Sequence, residues 1–267
     1  MFQKFICIVL LIPLIGISAH AQEARSIADS DFFELKTRIE ANYFSYDEEV
    51  IRSLLNQALE QIKQYPADWH PRYYAGLINI QLGNIARAHD IEAAHRHYLK
   101  ALAHLQAAHE WSPIAENTVV LADVYGKLAS LKTLKMLYYG SKSKSYLMDA
   151  FKMSEHSPKN YLLAGIESMW TPMIFGGSKK RAREFLSKAL ELEPAWRETD
   201  PLIVRWATPP EILAHQAQLE ILCEAPAQAK RYITKALSHI PDYGFVLRDV
   251  IPQLNEGLPD SRETNRI

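Results

Sequence analysis

The sequence predicts an all-α fold of stacked helix pairs, an α-solenoid with lengthened helices and inserts. Three observations carry this expectation. Apolar residues recur at steps of three and four, the period of amphipathic helices, and alternating polar–apolar runs are nearly absent. The chain is rich in Ala, Leu, Glu, Lys, Arg and Gln and holds only 10 glycines in 267 residues. Three segments, "ALAHLQAAHEWSP", "AREFLSKALELEP" and "AKRYITKALSHIP", close in the same way.

The first 21 residues read as an address. Lys4 starts it, Phe5 to Ile17 is apolar apart from Pro13 and Gly16, and Ala19 and Ala21 stand where a signal peptidase needs small residues. Cleavage is expected before Gln22, and retention as an anchor is the alternative. The apolar run is shorter than the roughly 20 residues a spanning helix needs. Cys7 lies inside it with no small residue following, which argues against a lipoprotein site. A location in the periplasm or outside the cell is expected, with no stable membrane insertion after cleavage.

The chain has 30 basic and 31 acidic residues, a net charge of −1, so no broad surface for nucleic acid or anionic membrane is implied. Beyond the signal, Cys223 is the single cysteine, so stability must come from packing and not from an internal disulfide. Its place on an apolar face predicts a small buried hydrophobe.

N-terminal helices are expected over 22–64, including a leading helix near Asp29 to Ala41. Helical repeats follow over 65–241. A capping helix from Asp242 to Glu256 and the polar tail "DSRETNRI" complete the region 242–267. In the repeats an alanine is followed by an apolar residue four later, an alanine seven later and a proline twelve later. The positions are Ala101, Leu105, Ala108 and Pro113; Ala182, Leu186, Ala189 and Pro194; Ala229, Ile233, Ala236 and Pro241. Steps of four and seven share one helix face, small residues let a neighbour approach, and the proline cannot continue the helix. Pro66 and Pro158 close looser copies, with Leu54 and Ala58, and Tyr146 and Ala150, at the first two positions.

This template resembles the second helix of a tetratricopeptide repeat, and the resemblance runs from about Tyr65 to Pro241. It implies a small residue near the eighth position of each first helix. Gly76 and Gly83, Ala122 between Leu121 and Tyr125, Ala164 or Gly165, and Ala217 meet that requirement. The closing prolines Pro66, Pro113, Pro158, Pro194 and Pro241 are 47, 45, 36 and 47 apart. The regular repeat takes about 34 residues. Extra residues fall between Gly83 and Ala101 and around Leu131 to Lys144. "PKNYLLAG…TPMIFGGSKKRAREFLSKAL" is similar to a group of exported bacterial repeat proteins, and a weaker resemblance is to the periplasmic T component of TRAP-type solute transporters.

The stretch "MIFGGSKKRAREFL" opens a helix with two glycines, a serine and three consecutive cations. Gly176 and Gly177 suit a chain reversal and Ser178 suits an N-cap. Lys179, Lys180 and Arg181 oppose the helix dipole, a penalty that a bound anion would remove. A solvated hinge is one reading, and an anion site at Ser178, Lys179 and Lys180 the other. No phosphate-loop pattern is present.

His89, His95, His97, His104 and His109 crowd one region, but their spacings do not give the i, i+4 pair of a helical zinc site. Helix-face histidines without metal are expected, and the alternative is a metal-dependent enzyme using the His89–His109 cluster. No nucleophile elbow, C-x-x-C pair or dinucleotide turn is present, so the protein reads as non-catalytic and without cofactor. If the repeat phase is right, Tyr73, Val119, Asp123, Lys127, Leu162, Ile166, Trp170 and Gln218 face the concave side. Of these, Tyr73, Asp123, Lys127, Trp170 and Gln218 are the candidate contacts for a ligand or partner.

The reading is a scaffold for a protein or peptide partner. Its alternative is an accessory that holds a small solute for a transporter, whose subunit would then be the partner. No nucleic-acid partner is expected.

Overall fold

A computed structural model of the chain describes the backbone of residues 12–131 and 134–256, and the side chains of 25–131 and 134–256. The described residues form helices and turns with no β-strand. The helices are α1 (Ile12–Asn42), α2 (Glu48–Gln64), α3 (His70–Ala86), α4 (Ile91–Trp111), α5 (Ala115–Ser130), α6 (Met136–Met153), α7 (Pro158–Trp170), α8 (Lys179–Leu192), α9 (Pro209–Leu222), α10 (Pro226–His239) and α11 (Ile251–Glu256). The chain is an all-α solenoid of consecutive antiparallel pairs. The expected leading helix is the first member of the first pair, α1–α2. It is also longer than expected, since its backbone is helical from Ile12 across the expected cleavage point. The earlier part of the signal segment and the polar tail lie outside the described residues.

Helix starts follow from local chemistry. The Asp47 carboxylate accepts from the amides of Glu49 and Val50, both at 3.1 Å, and Asp90 accepts from Ala93 at 2.8 Å. Proline opens α3, α7, α9 and α10 within their first two positions, where its missing N–H costs nothing.

Packing follows the repeat template. Ala101, Leu105, Ala108, Ala182, Leu186, Ala189, Ala229 and Ala236 are wholly buried, and Ile233 nearly so. A Cβ added at Gly76 would lie 2.5 Å from Leu105 Cγ, and one at Gly165 2.7 Å from Leu186 Cγ. The small residue of the first helix thus receives the apolar residue of the second. The looser copy in α6 is shifted: Leu147 is buried and Tyr146 only partly. Cys223 differs from expectation. It is half-buried in the turn after α9, with an Arg183 nitrogen 3.6 Å from Sγ, because α9 ends one residue earlier.

Two of the extra stretches lengthen second helices, giving 21 residues in α4 and 18 in α6. A third, between α8 and α9, forms only the 3-10 turn Glu193–Ala195 and is otherwise non-helical. The superhelix also closes on itself. The Gly244 amide donates to Phe44 O at 2.8 Å, and the Phe44 and Tyr243 rings meet edge to face at 4.8 Å. The turn after α10 therefore rests on the turn between α1 and α2.

Candidate functional site

The segment Trp196–Thr208 cannot be helical for long: Pro194, Pro201, Pro209 and Pro210 bracket and interrupt it. It leaves the end of α8 as extended chain, with Trp196 at φ −70°, ψ 138°. It crosses the inner face of the solenoid, touching the first helices of four pairs. His70 on α3 sets Nε2 2.9 Å from Asp200 Oδ2, and the Tyr74 hydroxyl donates to Leu202 O at 2.7 Å. The Thr199 hydroxyl donates to Glu116 Oε1 on α5 at 3.1 Å. From α7, Lys159 places Nζ 2.8 Å from Glu198 Oε1 and donates to Val204 O at 3.4 Å. The Arg205 amide donates to Glu40 Oε1 on α1 at 2.6 Å. Leu202, Ile203 and Val204 are buried in one apolar cluster with Tyr73, Val119 and Leu162. We call this segment the strap.

The strap anchors are buried polar groups, which are costly unless paired. Lys159 is wholly buried; burial lowers its pKa, and Glu198 opposes that shift. The Lys159–Glu198 contact is an ion pair, not a well-aligned hydrogen bond, since both Glu198 oxygens are buried without an aligned donor. The ammonium also lies 5.5 Å from the centre of the Trp206 ring. His70 is held from its other side by Asp68, with Nδ1 to Oδ1 at 2.6 Å. Burial would raise the Asp68 carboxyl, but bonds from His70 and Arg25 outweigh it and hold it at about 2.

The strap corrects part of the expected contact set. Tyr73 is wholly buried, and its hydroxyl has no hydrogen-bond partner, so no ligand reaches it while the strap is in place. Gln218 is buried as well: its carbonyl oxygen lies 3.1 Å from His215 Nδ1 and its amide donates to Gln253 of α11 at 3.4 Å. The C-terminal cap covers it. Asp123 and Lys127 do come together, one turn apart on α5 at 3.5 Å, with side chains 19% and 24% exposed.

Around Asp123 and Lys127 the inner surface is polar. Burial raises Asp123, and burial raises Glu167 against a hydrogen bond from Ser143. Burial pushes the Glu211 carboxyl up to about 7, despite the Ala207 amide donating to it at 2.8 Å. Burial brings His215 down to about 4, with Lys127 adding to the effect.

Trp170 is 50% exposed, at the edge where α7 ends and not packed beneath the turn. Trp170→Ala is therefore expected to change stability by no more than about 0.5 kcal/mol, the usual range for surface substitutions. Thermal unfolding checks this; a clearly lowered midpoint would make Trp170 a core residue.

The serine and cations at the start of α8 do not converge on a common point. The Ser178 hydroxyl accepts from the Arg181 amide at 3.2 Å, Lys179 donates to Leu222 O, and Arg181 donates to Gly176 O. Two of the three cations thus meet backbone carbonyls. Gly176 takes φ +92°; Gly177 does not, but it lies so close to the Thr171 carbonyl that a side chain would overlap it. The five histidines of α4 and its approach also stay apart. His97 faces Asn79 at 3.1 Å, His109 faces Thr118 at 3.4 Å, and no three metal-ligating side chains gather among the described residues.

His70, Lys159, Glu116 and the strap itself were missed at the level of sequence. The available signal was the apolar run "LIV" between prolines, too long a break for a repeat turn and too apolar to stay in solvent.

These features define a tetratricopeptide-like helical-repeat protein whose concave side is occupied by its own chain. A thermophilic tetratricopeptide-repeat protein of Thermus thermophilus shares the fold, with a TM-score of 0.58 at 18% identity, over 83% of this chain and 99% of that one. The assembly chaperone of RpL4 also matches, over 86% of this chain and 98% of the other, but its TM-score of 0.32 at 14% identity is too low to argue from. No protein-family model and no curated protein matches the chain.

Proposed function

We propose that the protein is a non-catalytic scaffold that receives an extended segment of a partner protein along its concave side, in exchange for its own strap. The observation that supports this is the strap's mode of contact. A non-helical backbone, extended at Trp196 and Thr208 and turned at Asp200–Ile203, together with two acidic side chains and an apolar run, is held by side chains from α1, α3, α5 and α7. A surface that accepts these groups from its own chain has the shape and chemistry to accept them from another. The reading places the protein in the periplasm or outside the cell, on the strength of the N-terminal pattern. No observation favours the transporter-accessory or metal-dependent alternatives.

The test uses the strap as a free peptide. A labelled peptide spanning Trp196–Thr208 is titrated into the wild-type protein and into a Glu198→Ala/Asp200→Ala/Leu202→Ala variant. The tethered strap competes at an effective concentration of about millimolar. The expected result is peptide binding at roughly 1–100 μM by the variant and far weaker binding by the wild type. Circular dichroism checks that the variant stays helical, and Asp200→Asn, which leaves the Lys159–Glu198 pair in place, replaces it if it does not. A helical variant that ignores the peptide rejects the proposal.

A further inference from the structure

Two neighbouring turns of the solenoid carry the most exposed large apolar side chains among the described residues. One joins α5 to α6 and the other joins α7 to α8. The Ser143 hydroxyl of α6 donates to Glu167 of α7, so these antiparallel helices set the start of α6 beside the end of α7. Both turns therefore lie on one edge of the protein, side by side. On the first, Leu134 and Leu137 are exposed. On the second, Met173 and Ile174 are 85% and 86% exposed, with Phe175 and Trp170 more than half and half exposed beside them. These are large side chains standing out from the turns at the ends of the helices.

The charge carried by these two turns is of one sign. No Asp or Glu occurs between Asp123 and Asp149, or between Glu167 and Glu184, and these two stretches together carry nine Lys and Arg residues. The near-neutral total conceals this segregation. Lys127 is paired with Asp123, and Arg183 with Glu220. Lys135, Lys144 and Lys180 are exposed and make no ion pair among the described residues. Lys179 and Arg181 are bonded to carbonyls, which leaves their charge uncompensated. On either side of them, the α9–α10 turn adds one exposed acid, Glu224, and the α3–α4 turn adds Asp90 and Glu92, which are both paired with Arg96.

We infer that this edge docks on an anionic phospholipid bilayer. Protruding aliphatic and aromatic side chains ringed by lysines match the two parts of such a surface: the tips enter the acyl boundary, and the cations face the phosphates. A protein partner of comparable acidity would present a pocket for each apolar tip, whereas a bilayer accommodates them at any spacing. The docking is peripheral, since no described helix is long and apolar enough to cross a membrane. It does not depend on the strap-exchange reading, because the edge and the concave side share no tested residue.

The experiment is co-sedimentation of the wild-type protein with vesicles of phosphatidylethanolamine and phosphatidylglycerol in equal parts, and with vesicles of phosphatidylcholine alone. Binding to the anionic vesicles that weakens with added salt is expected. Met173→Ser/Ile174→Ser/Phe175→Ser and Lys135→Gln/Lys144→Gln/Lys180→Gln are each expected to weaken it by roughly tenfold or more. All six side chains are exposed, so both variants should melt as the wild type does. A blue shift of tryptophan fluorescence on vesicle binding, absent in Trp170→Phe while sedimentation persists, would place the edge at the lipid. Equal binding to neutral and anionic vesicles, or full binding by either triple variant, would overturn the inference.

Discussion

Replacing Lys159 with methionine is expected to destabilise the protein by about 3–5 kcal/mol, the usual loss when one partner of a buried ion pair is removed. The side chain is wholly buried and faces Glu198 at 2.8 Å. Methionine fills a similar volume, so the loss comes mainly from charge. The Glu198 carboxylate is left in a low-dielectric site where its oxygens find no other aligned donor. The strap also loses its contact at Val204 O, so proteolysis between Trp196 and Thr208 should accelerate along with the fall in denaturation midpoint. The double variant Lys159→Met/Glu198→Leu should recover much of the loss, because replacing both charges removes the desolvation penalty. A single variant that loses less than about 1 kcal/mol would mean that the pair is solvated and the strap is not seated as described.

Leu105→Ala is expected to cost about 2–5 kcal/mol, the range for a buried leucine that leaves a cavity. Leu105 has no solvent exposure, and it fills the space over Gly76 that a side chain there would take. The same contact makes the reverse prediction sharp. Gly76→Ala alone should overpack the pair by about 1–3 kcal/mol. Combined with Leu105→Ala it should cost less than the sum, since the new methyl enters the new cavity. Chemical denaturation of the four proteins gives the coupling directly, and simple additivity would place Leu105 and Gly76 out of contact.

The parts of this fold legible in the sequence are those that neighbouring residues along the chain determine together. Helical period, the alanines at steps of four and seven, and a proline after each second helix are local patterns. They led to the right pairs, to the burial of Ala101, Leu105, Ala108, Ala182, Leu186 and Ala189, and to the Ser178 cap. The concave side was only half legible. Its phase pointed Tyr73, Leu162, Asp123 and Lys127 to one side of the array as an open surface. It did not foresee that Tyr73 would be sealed by the strap, or Gln218 by the C-terminal cap.

What the tertiary structure decided is what fills the concave side and how the array ends. His70 meets Asp200 across 130 positions, Arg205 meets Glu40 across 165, and Gly244 meets Phe44 at the closure of the superhelix. No local period records such pairings. They depend on the accumulated rotation from one helix pair to the next, which lengthened helices such as α4 and α6 change. A non-helical apolar segment must bury itself somewhere, and the curvature of the stacked pairs placed the inner face of α3, α5 and α7 within its reach.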